Sequence, residues 1–261
     1  MDQQAKALLD IARTAGQAIL EVYHQDFSVQ QKDDSSPLTA ADLASHQIIV
    51  RRLGELEPDT PILSEEGADI PYSIRNQWQR YWLIDPLDGT REFVKRNGEF
   101  TVNIALIENG CPVVGVVHVP VTGVSYIGQS DQGAWKIGAD GNIQPIRVCA
   151  ERQAKARVAG SRSHAGDSLQ RFLDRLGEHE IVSMGSSLKL CLVAEGVADI
   201  YPRLGPTSEW DTAAAQAVVE AAGGTVTDTQ LRPLRYNTKD SLLNPYFLVF
   251  GDQSEDWGKF L

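Results

Sequence analysis

The chain has 261 residues, of which 42% are hydrophobic and 23% are charged, and its formal net charge is −11. This length is enough to bury a large core in one domain or in two closely packed ones, and the composition is ordinary for a globular enzyme. The negative charge argues against a nucleic acid polymer as partner, because a phosphate chain binds basic surfaces. A small anionic substrate is still compatible with it if metal ions supply positive charge.

The sequence contains no run of roughly 18 apolar residues, so no membrane span is expected. Its first residues, Met-Asp-Gln-Gln-Ala-Lys, lack a basic region and a cleavage site, so no secretory signal is predicted. Cys111, Cys149 and Cys191 are far apart and lack metal-ligand spacing, which favours reduced thiols. We therefore expect a cytoplasmic protein, either free or peripheral at the cytoplasmic face of the inner membrane.

The first elements are two helices separated by a polar loop. Apolar residues at helical spacing predict an amphipathic helix over 5–22, and a second helix should end at Leu56. The polar, proline-broken stretch 31–42 lies between them and is typical of a solvated loop. The alternative interpretation is that its Asp34 and Asp42 add carboxylates to a cation site.

A short apolar strand is predicted next, within residues 60–67, and it stops at Glu65 and Glu66. Seen alone, adjacent glutamates are usually a solvated strand end. Here they repeat the arrangement of the stretch that follows, in which a buried strand also delivers carboxylates at its tip.

That following stretch is the centre of the chain. The apolar run 81–84 predicts a buried strand, which should end abruptly at the sequence Asp-Pro-Leu-Asp-Gly-Thr over 85–90. Pro86 removes an N–H donor and Gly89 permits a sharp turn. The motif supplies two carboxylates, a carbonyl and a hydroxyl, from Asp85, Asp88, Leu87 and Thr90. Hard divalent cations such as Mg²⁺ bind such oxygens, although solvated aspartates in a turn would give the same pattern.

Short β-rich runs separated by turn signals follow, and they predict an antiparallel meander to which we assign no chemistry. The runs are 101–107, 113–119, 124–127 and 134–137. Beyond residue 147 strands and helices alternate, so we predict a domain boundary near 150. Residues 1–150 would carry most of the candidate metal ligands, and residues 151–261 would carry Asp211.

In the second half, helices are predicted over 167–176, 184–194 and 209–222, with strands over 158–160, 180–183 and 198–201. Gly223 and Gly224 would close the last of these helices. Asp211 lies at its start, where it would serve either as a plain helix cap or as a metal ligand pointing out of the helix.

Four acids thus lie at the ends of predicted elements, namely Glu65, Asp85, Asp88 and Asp211. Strand ends of an α/β sheet converge on a crevice, where four carboxylates would repel one another unless cations were present. Oxygen ligands without histidine or cysteine select Mg²⁺ or Mn²⁺ over Zn²⁺. Two such ions would activate a water and stabilise the leaving oxygen of a phosphate ester, with Thr90 holding the water and Asp34 taking its proton.

The chain resembles the metal-dependent, lithium-sensitive phosphatases of the inositol monophosphatase superfamily. The motifs that carry this resemblance are Ser-Glu-Glu at 64–66, Asp-Pro-Leu-Asp-Gly-Thr at 85–90 and Trp-Asp-Thr-Ala-Ala at 210–214. Further stretches resemble the bacterial 3′(2′),5′-bisphosphate nucleotidases, namely 37–42, 89–106, Ser-Arg-Ser-His at 161–164 and Gly-Ser-Ser-Leu-Lys at 185–189. The match covers essentially the whole chain. One small departure is Leu38, where valine is commoner.

This resemblance implies an αβαβα layered fold of the inositol monophosphatase and fructose-1,6-bisphosphatase type. It implies two or three Mg²⁺ ions, replaceable by Mn²⁺, and hydrolysis of 3′-phosphoadenosine 5′-phosphate (PAP) to AMP in sulfur assimilation. The sulfated analogue (PAPS) would be a second substrate, and the protein would be a monomer or homodimer.

The resemblance also implies a role for each residue of the site. The metal ligands would be Glu65, Asp85, the Leu87 carbonyl, Asp88 and Asp211. Thr90 would orient the attacking water with help from Asp34 or Glu65. Substrate contacts around the reacting phosphate would come from Glu65, Leu87, Asp88, Gly89, Thr90 and Asp211. The nucleoside and the 5′-phosphate would fall to Ser161, His164, Ser187, Lys189 and Arg203.

Two other functions compete with this one. The first is a phosphatase of the same superfamily acting on inositol or sugar phosphates, which would leave the basic residues Lys189 and Arg203 without a task. The second is a catalytically inactive regulator that binds nucleotide or metal. Such proteins usually lose a ligand, whereas every expected ligand and Thr90 are present in this sequence.

Overall fold

The computed structural model describes residues 1–25, 29–31, 37–152, 154–160 and 167–261, with the backbone alone described at 29–31 and 37–39. The helices are α1 (Gln3–Tyr23), α2 (Ala40–Leu56), α3 (Tyr72–Arg75), α4 (Thr90–Val94), α5 (Asp167–Leu176), α6 (Leu188–Ala194) and α7 (Ala213–Ala221). Short 3₁₀ helices cover Glu65–Gly67, Glu209–Asp211 and Trp257–Phe260. Across these described ranges, no helix has the length and apolar character needed to cross a membrane.

The strands of the first half are β1 (Val29–Gln31), β2 (Pro37–Thr39), β3 (Ile62–Ser64), β4 (Arg80–Asp88), β5 (Thr101–Glu108), β6 (Cys111–His118), β7 (Ser125–Gln129), β8 (Gly133–Ile137) and β9 (Ile143–Ile146). Those of the second half are β10 (Ala156–Gly160), β11 (His179–Ser183), β12 (Ile200–Arg203), β13 (Thr225–Asp228) and β14 (Phe247–Phe250).

The strands form two large sheets. The first has seven strands in sequence order from β3 to β9, and the second has five in the order β11-β10-β12-β14-β13. In the first sheet β3 and β4 are parallel and every later pair is antiparallel, so the predicted meander is confirmed. The second sheet is mixed.

The predicted αβαβα layering is confirmed by the way the sheets are covered. Adjacent residues of β5 point to opposite faces, so Ile104 packs in a core with α1 and α2 while Ala105 belongs to the central core. The central core also contains α6, α7 and one face of the second sheet. On the outer face of that sheet, Leu248 packs with Phe172 of α5 and with Trp257.

Helix α7 lies very close to the first sheet. A Cβ added at Gly115 of β6 or at Gly128 of β7 would collide with the backbone of α7 at Ala214 or Ala217. Glycines on the sheet and alanines on the helix therefore allow an approach that larger side chains would prevent. This contact fixes the start of α7, and hence Asp211 just before it, against the first sheet.

The division into two domains near residue 150 stays a prediction. The last strand of the first sheet ends at Ile146 and the first strand of the second sheet begins at Ala156, so the sheets do lie on either side of it. The central core, however, contains residues of both halves, such as Leu83 and Val249.

Candidate active site

Two neighbouring strands deliver the first acids. Strands β3 and β4 run parallel, with Ser64 opposite Ile84 in the register. The next residue in each segment is an acid, so Glu65 and Asp85 lie side by side where the pairing of the two strands ends. The parallel pairing explains why acids about twenty positions apart in the sequence converge.

The strand that carries Asp85 is longer than predicted. The prediction that it ends at Asp85 is wrong, because β4 continues to Asp88, which pairs with Thr101. The register shifts between Asp85 and Asp88, which is the irregularity of a β-bulge. Pro86 has no partner in either register, because the pairing with β3 ends at Ile84 and the pairing with β5 skips from Asp85 to Asp88. Its missing N–H therefore leaves no ladder bond unmade. Asp85 also accepts a hydrogen bond from the Leu87 N–H at 3.1 Å.

Asp211 reaches the same place from the second half of the chain. It ends the 3₁₀ helix Glu209–Asp211, and Thr212, not Asp211, occupies the N-cap position of α7. One carboxylate oxygen of Asp211 accepts a hydrogen bond from the Ser208 N–H at 2.9 Å. The interpretation of Asp211 as a cap of the long helix is therefore wrong.

Asp85, Asp88 and Asp211 form a compact acid cluster. One carboxylate oxygen from each lies within 4.8 Å of the other two, with Asp85 buried and the others half-buried. Removal from water, followed by the charges of Glu65, Asp88 and Asp211, raises the pKa of Asp85 well above its usual value. Removal from water and the charge of Asp88 raise the pKa of Asp211 to about 8. Such a cluster is stable in its ionised form only with added positive charge.

The neighbours of this cluster include the other predicted acids. The charge of Glu65 contributes to the raised pKa of both Asp85 and Asp211. Asp42, which is fully buried in α2, contributes to the raised pKa of Asp85 as well. All these groups offer carboxylate oxygens, the donor set that Mg²⁺ and Mn²⁺ prefer.

Asp88 is oriented by three donors on one of its oxygens. Its Oδ2 accepts from the Ser187 N–H at 2.5 Å, from Thr101 Oγ1 at 3.3 Å and from Asn103 Nδ2 at 3.4 Å. Removal from water raises the pKa of Asp88, and the charge of Lys189 opposes that rise. Thr101 and Asn103 lie in β5, which is part of the meander to which no chemistry was assigned, and they hold the carboxylate of Asp88. Their signal in the sequence is a pair of polar residues inside an otherwise apolar strand.

The turn after Asp88 is locked by the segment 184–187. Gly89 has φ of 93°, and a Cβ there would collide with the Ser186 side chain. The Ser186 hydroxyl lies 2.9 Å from the Asp88 carbonyl oxygen and 2.6 Å from the Glu99 carbonyl oxygen. Helix α4 begins at Thr90, directly after this glycine. The turn therefore needs glycine, and it fixes where Thr90 stands.

A cavity of about 210 Å³ opens beside the acid cluster. The predicted site residues that line it are Asp88, Gly89, Ser187, Lys189, Arg203 and Asp211. The cavity is also lined by Arg91, Glu92, Tyr201 and Thr207, which no sequence pattern had singled out. The cavity is therefore lined by both acidic and basic side chains. Such a lining suits a phosphate ester that is bound partly by metal ions on the acids and partly by the basic side chains.

The two predicted basic residues differ in how they are held. Lys189 is only 6% exposed, and its Nζ donates to the Ser186 carbonyl at 2.6 Å and to the Met184 carbonyl at 3.3 Å. Burial lowers the pKa of Lys189, while the charge of Asp88 opposes that change. Arg203 donates from Nη2 to the Pro206 carbonyl at 2.7 Å. Its buried Nε has no hydrogen-bond partner within the described part of the chain.

Three predicted residues lie outside the described residues, namely Asp34, Ser161 and His164. The roles assigned to them stay predictions. Ser187 lines the cavity, yet its hydroxyl bonds Thr101 at 2.9 Å and Asn103 at 3.0 Å. It thus supports the two side chains that orient Asp88.

Comparison with known proteins identifies the family. A model of the inositol monophosphatase family matches residues 1–253. The chain belongs to this family. One relative, the 3′(2′),5′-bisphosphate nucleotidase CysQ of Escherichia coli strain K12, is 52% identical over 242 residues, covering 92% of this chain and 96% of the relative. CysQ of Haemophilus influenzae is 38% identical over 251 residues, covering 96% of this chain and 93% of the relative.

The fold is also that of solved family members. The crystal structure of CysQ from Bacteroides thetaiotaomicron superposes with a TM-score of 0.83 at 40% identity, covering 96% of this chain and 98% of that one. Family membership and the acid cluster together indicate a site for divalent metal ions. The acid cluster is the part of the molecule that fits such ions, because three carboxylates lie close together and the nearby charges of Lys189 and Arg203 offset their repulsion only in part.

Proposed function

We propose that this protein is a 3′(2′),5′-bisphosphate nucleotidase that converts PAP to AMP and inorganic phosphate in sulfur assimilation, and that it also removes the 3′-phosphate of PAPS. The observation that carries the proposal is the 52% identity with the Escherichia coli nucleotidase over 92% of this chain. The acid cluster beside a cavity with basic residues supplies the site that this reaction needs.

Within that site, we assign metal binding to Glu65, Asp85, the Leu87 carbonyl, Asp88 and Asp211. The close approach of the Asp85, Asp88 and Asp211 carboxylates supports this assignment for those three residues, and the charge of Glu65 acts on two of them. We propose two or three Mg²⁺ as the ions, with Mn²⁺ as a substitute. Bound divalent ions would supply the positive charge that lets a water attack phosphorus and that neutralises the leaving oxygen.

The chain's own contribution at the reacting phosphate is positioning. Thr90, held at the start of α4 by the turn at Gly89, would accept a hydrogen bond from the attacking water and orient it. The proton of that water would pass toward Glu65 or Asp34. Asp88 would be kept in one rotamer by its three donors, so that the position of its second oxygen is fixed.

The phosphate that is not cleaved needs separate donors. The net charge of −11 repels a substrate with two phosphates, and metal ions neutralise only the reacting one. Arg203 and Lys189 line the cavity, and an arginine grips phosphate with two N–H groups. We assign them, with Ser161, His164 and Ser187, to the nucleoside and the 5′-phosphate.

A substrate panel tests the function. Phosphate release with Mg²⁺ would be measured for PAP, PAPS, 3′-AMP, inositol monophosphates and fructose 1,6-bisphosphate. We expect the largest kcat/KM for PAP. A larger value for inositol or fructose phosphates would assign the protein to the other branch of the family, and no turnover on any substrate would favour the regulator.

We also propose a cytoplasmic location, either free or peripheral at the inner membrane, with the protein acting as a monomer or homodimer. The thiols of Cys111, Cys149 and Cys191 are free, which is typical of a reducing compartment. Fractionation of cells and size-exclusion chromatography with light scattering would test location and oligomeric state.

A further inference from the structure

A buried polar network lies behind the 3₁₀ helix that carries Asp211. Its members are Arg75, Glu209 and Asn237, which we call the Arg75–Asn237–Glu209 network. Arg75 and Glu209 are each only 1% exposed, which is unusual for charged side chains. The network joins α3 of the first half to two segments of the second half, and it does not line the cavity of the acid cluster.

Arg75 and Asn237 bind each other in both directions. Arg75 Nη1 donates to Asn237 Oδ1 at 2.5 Å, and Asn237 Nδ2 donates to the Arg75 carbonyl at 2.5 Å. Arg75 also donates to the Lys239 carbonyl at 3.2 Å and to the Asp240 carbonyl. The guanidinium thus fixes the loop 237–240 to α3.

Asn237 also contacts Glu209, so it links Arg75 to that residue. Its main-chain N–H donates to both carboxylate oxygens of Glu209, at 3.1 Å and 2.9 Å. Asn237 has φ of 55°, a conformation that asparagine adopts more readily than most residues. Glu209 is the first residue of the 3₁₀ helix whose last residue is Asp211. The side chain of Glu209 therefore anchors the segment that presents Asp211.

The residue types of the network suggest that it orients a neighbouring group rather than stabilising the fold. Burying a carboxylate and a guanidinium costs free energy that their hydrogen bonds only partly offset, and apolar residues of similar size would often stabilise a fold better. A directional network instead restricts a metal ligand to one orientation, and partners of this kind typically affect metal affinity or activity.

We propose that Asn237, bridging Arg75 and Glu209, is a positioning residue that holds Asp211 in its metal-binding orientation. The proposal rests on Asp211 being a metal ligand, as the proposed function has it. The network acts on the metal site through the 3₁₀ helix and makes no contact with substrate.

The test is the variant Asn237→Gly. Glycine keeps the main-chain N–H to Glu209 and accepts the positive φ, so the variant removes only the bridge to Arg75. The matched control is Asn109→Gly, which changes the same residue type at φ of 51° in the turn between β5 and β6. Mn²⁺ binding to the chelator-treated protein would be measured by calorimetry in the absence of substrate. In a separate assay, kcat and KM for PAP would be measured at several Mg²⁺ concentrations.

We expect Asn237→Gly to raise the Kd for Mn²⁺ by about 10-fold or more, with Asn109→Gly unchanged. High Mg²⁺ should restore most of kcat, and KM for PAP should stay near the wild-type value. A lower melting temperature with an unchanged Kd and an unchanged Mg²⁺ dependence would overturn the proposal, because that result describes a purely structural bridge.

A second variant covers the case in which Asn237→Gly does not fold. Arg75→Lys keeps the buried positive charge but loses the forked contacts to Asn237 and to the loop carbonyls. It should weaken Mn²⁺ binding in the same direction, and an unchanged Kd would again overturn the proposal. Because the binding assay needs no substrate, a wild-type protein that binds Mn²⁺ but ignores PAP would refute the proposed function and leave this inference standing.

Discussion

The acid cluster allows us to predict how the stability of the metal-free protein depends on pH. The pKa of Asp211 is raised from 3.8 to about 8 by removal from water and by the charge of Asp88. Between these two values the folded state holds a proton that the unfolded state has released. The free energy of unfolding of the metal-free protein should therefore fall as the pH rises through this range. Asp211→Asn removes the contribution of Asp211 and should weaken the dependence, while Asp85 and Asp88, whose pKa values are also raised, still contribute.

The size of the effect follows from the shift. A rise from 3.8 to about 8 corresponds to about 6 kcal/mol, at ~1.4 kcal/mol for each pH unit in which the two states differ by one proton. Asp211 lines a cavity and is only half-buried, so solvent screens part of its repulsion. From about pH 5 to pH 8, the free energy of unfolding of the wild type should therefore fall by about 2–4 kcal/mol more than that of Asp211→Asn. In a chain of this length that corresponds to roughly 5–10 °C in Tm.

The assay is thermal and urea unfolding of chelator-treated protein at several pH values, followed by circular dichroism. Asp211→Asn should match the wild type at low pH and exceed its stability near pH 8, because asparagine resembles the protonated acid. Asp131→Asn, an exposed aspartate in a turn, is the control and should behave as the wild type. Mg²⁺ at pH 8 should stabilise the wild type strongly and Asp211→Asn much less.

Two results would refute this reasoning. Parallel pH curves for the wild type and Asp211→Asn would mean that Asp211 does not titrate in this range. An equal gain in Tm on adding Mg²⁺ would remove Asp211 from the metal site altogether.

Four further predictions concern activity. Exhaustive chelation should abolish hydrolysis, Mg²⁺ should restore it and high Ca²⁺ should inhibit it, since Ca²⁺ prefers longer bonds; full phosphate release in chelator would contradict a metal mechanism. Asp88→Asn should lower kcat by orders of magnitude with the fold intact by circular dichroism, and a few-fold loss would remove it from the ligands. Thr90→Ala should slow turnover ~10²–10⁴-fold while Mn²⁺ affinity stays near wild type; unchanged turnover would mean that another group orients the water. Arg203→Ala and Lys189→Ala should each cost ~2–4 kcal/mol in kcat/KM for PAP, and Arg203→Ala should cost much less for 3′-AMP; an equal loss on both substrates in Arg203→Ala would mean that Arg203 does not bind the second phosphate.

Local sequence patterns predicted the elements that are long and amphipathic. Helix α5 has the predicted bounds and α1 differs from its prediction by two residues at the start and one at the end. The strands β1, β2, β9, β13 and β14 were not predicted, and β2 lies inside the stretch 31–42 that was predicted as a loop. Strand β9 is exposed and contains Pro145, and β14 is a four-residue apolar run that periodicity cannot distinguish from a helix segment.

The acids of the site were predictable because each follows a short apolar run or begins a helix. Their supports were not, because they come from distant parts of the chain. The Ser187 N–H reaches Asp88 across 99 positions, and Asn237 reaches Arg75 across 162. Such contacts depend on how the two sheets pack, which no local pattern encodes. The extension of β4 to Asp88 was missed because Pro86 is typical of a strand end, whereas the pairing with β5 skips Pro86 and resumes at Asp88.

The contacts of Lys189 change what its substitution would measure. The Nζ of Lys189 donates to the carbonyls of Met184 and Ser186. Ser187 follows Ser186 in the chain, and its N–H donates to the carboxylate of Asp88. Lys189→Ala would therefore disturb the carboxylate of Asp88 as well as any contact with the second phosphate. A loss that appears equally with PAP and 3′-AMP is then explained by the metal site, even where Lys189 also binds phosphate. Arg203 donates from Nη2 to the Pro206 carbonyl, and its charge opposes the rise in the pKa of Asp211. Arg203→Ala would therefore also affect the acid cluster, but it leaves the hydrogen bonds that orient Asp88 in place. The difference between its losses on PAP and on 3′-AMP is the measurement that decides how the second phosphate is bound.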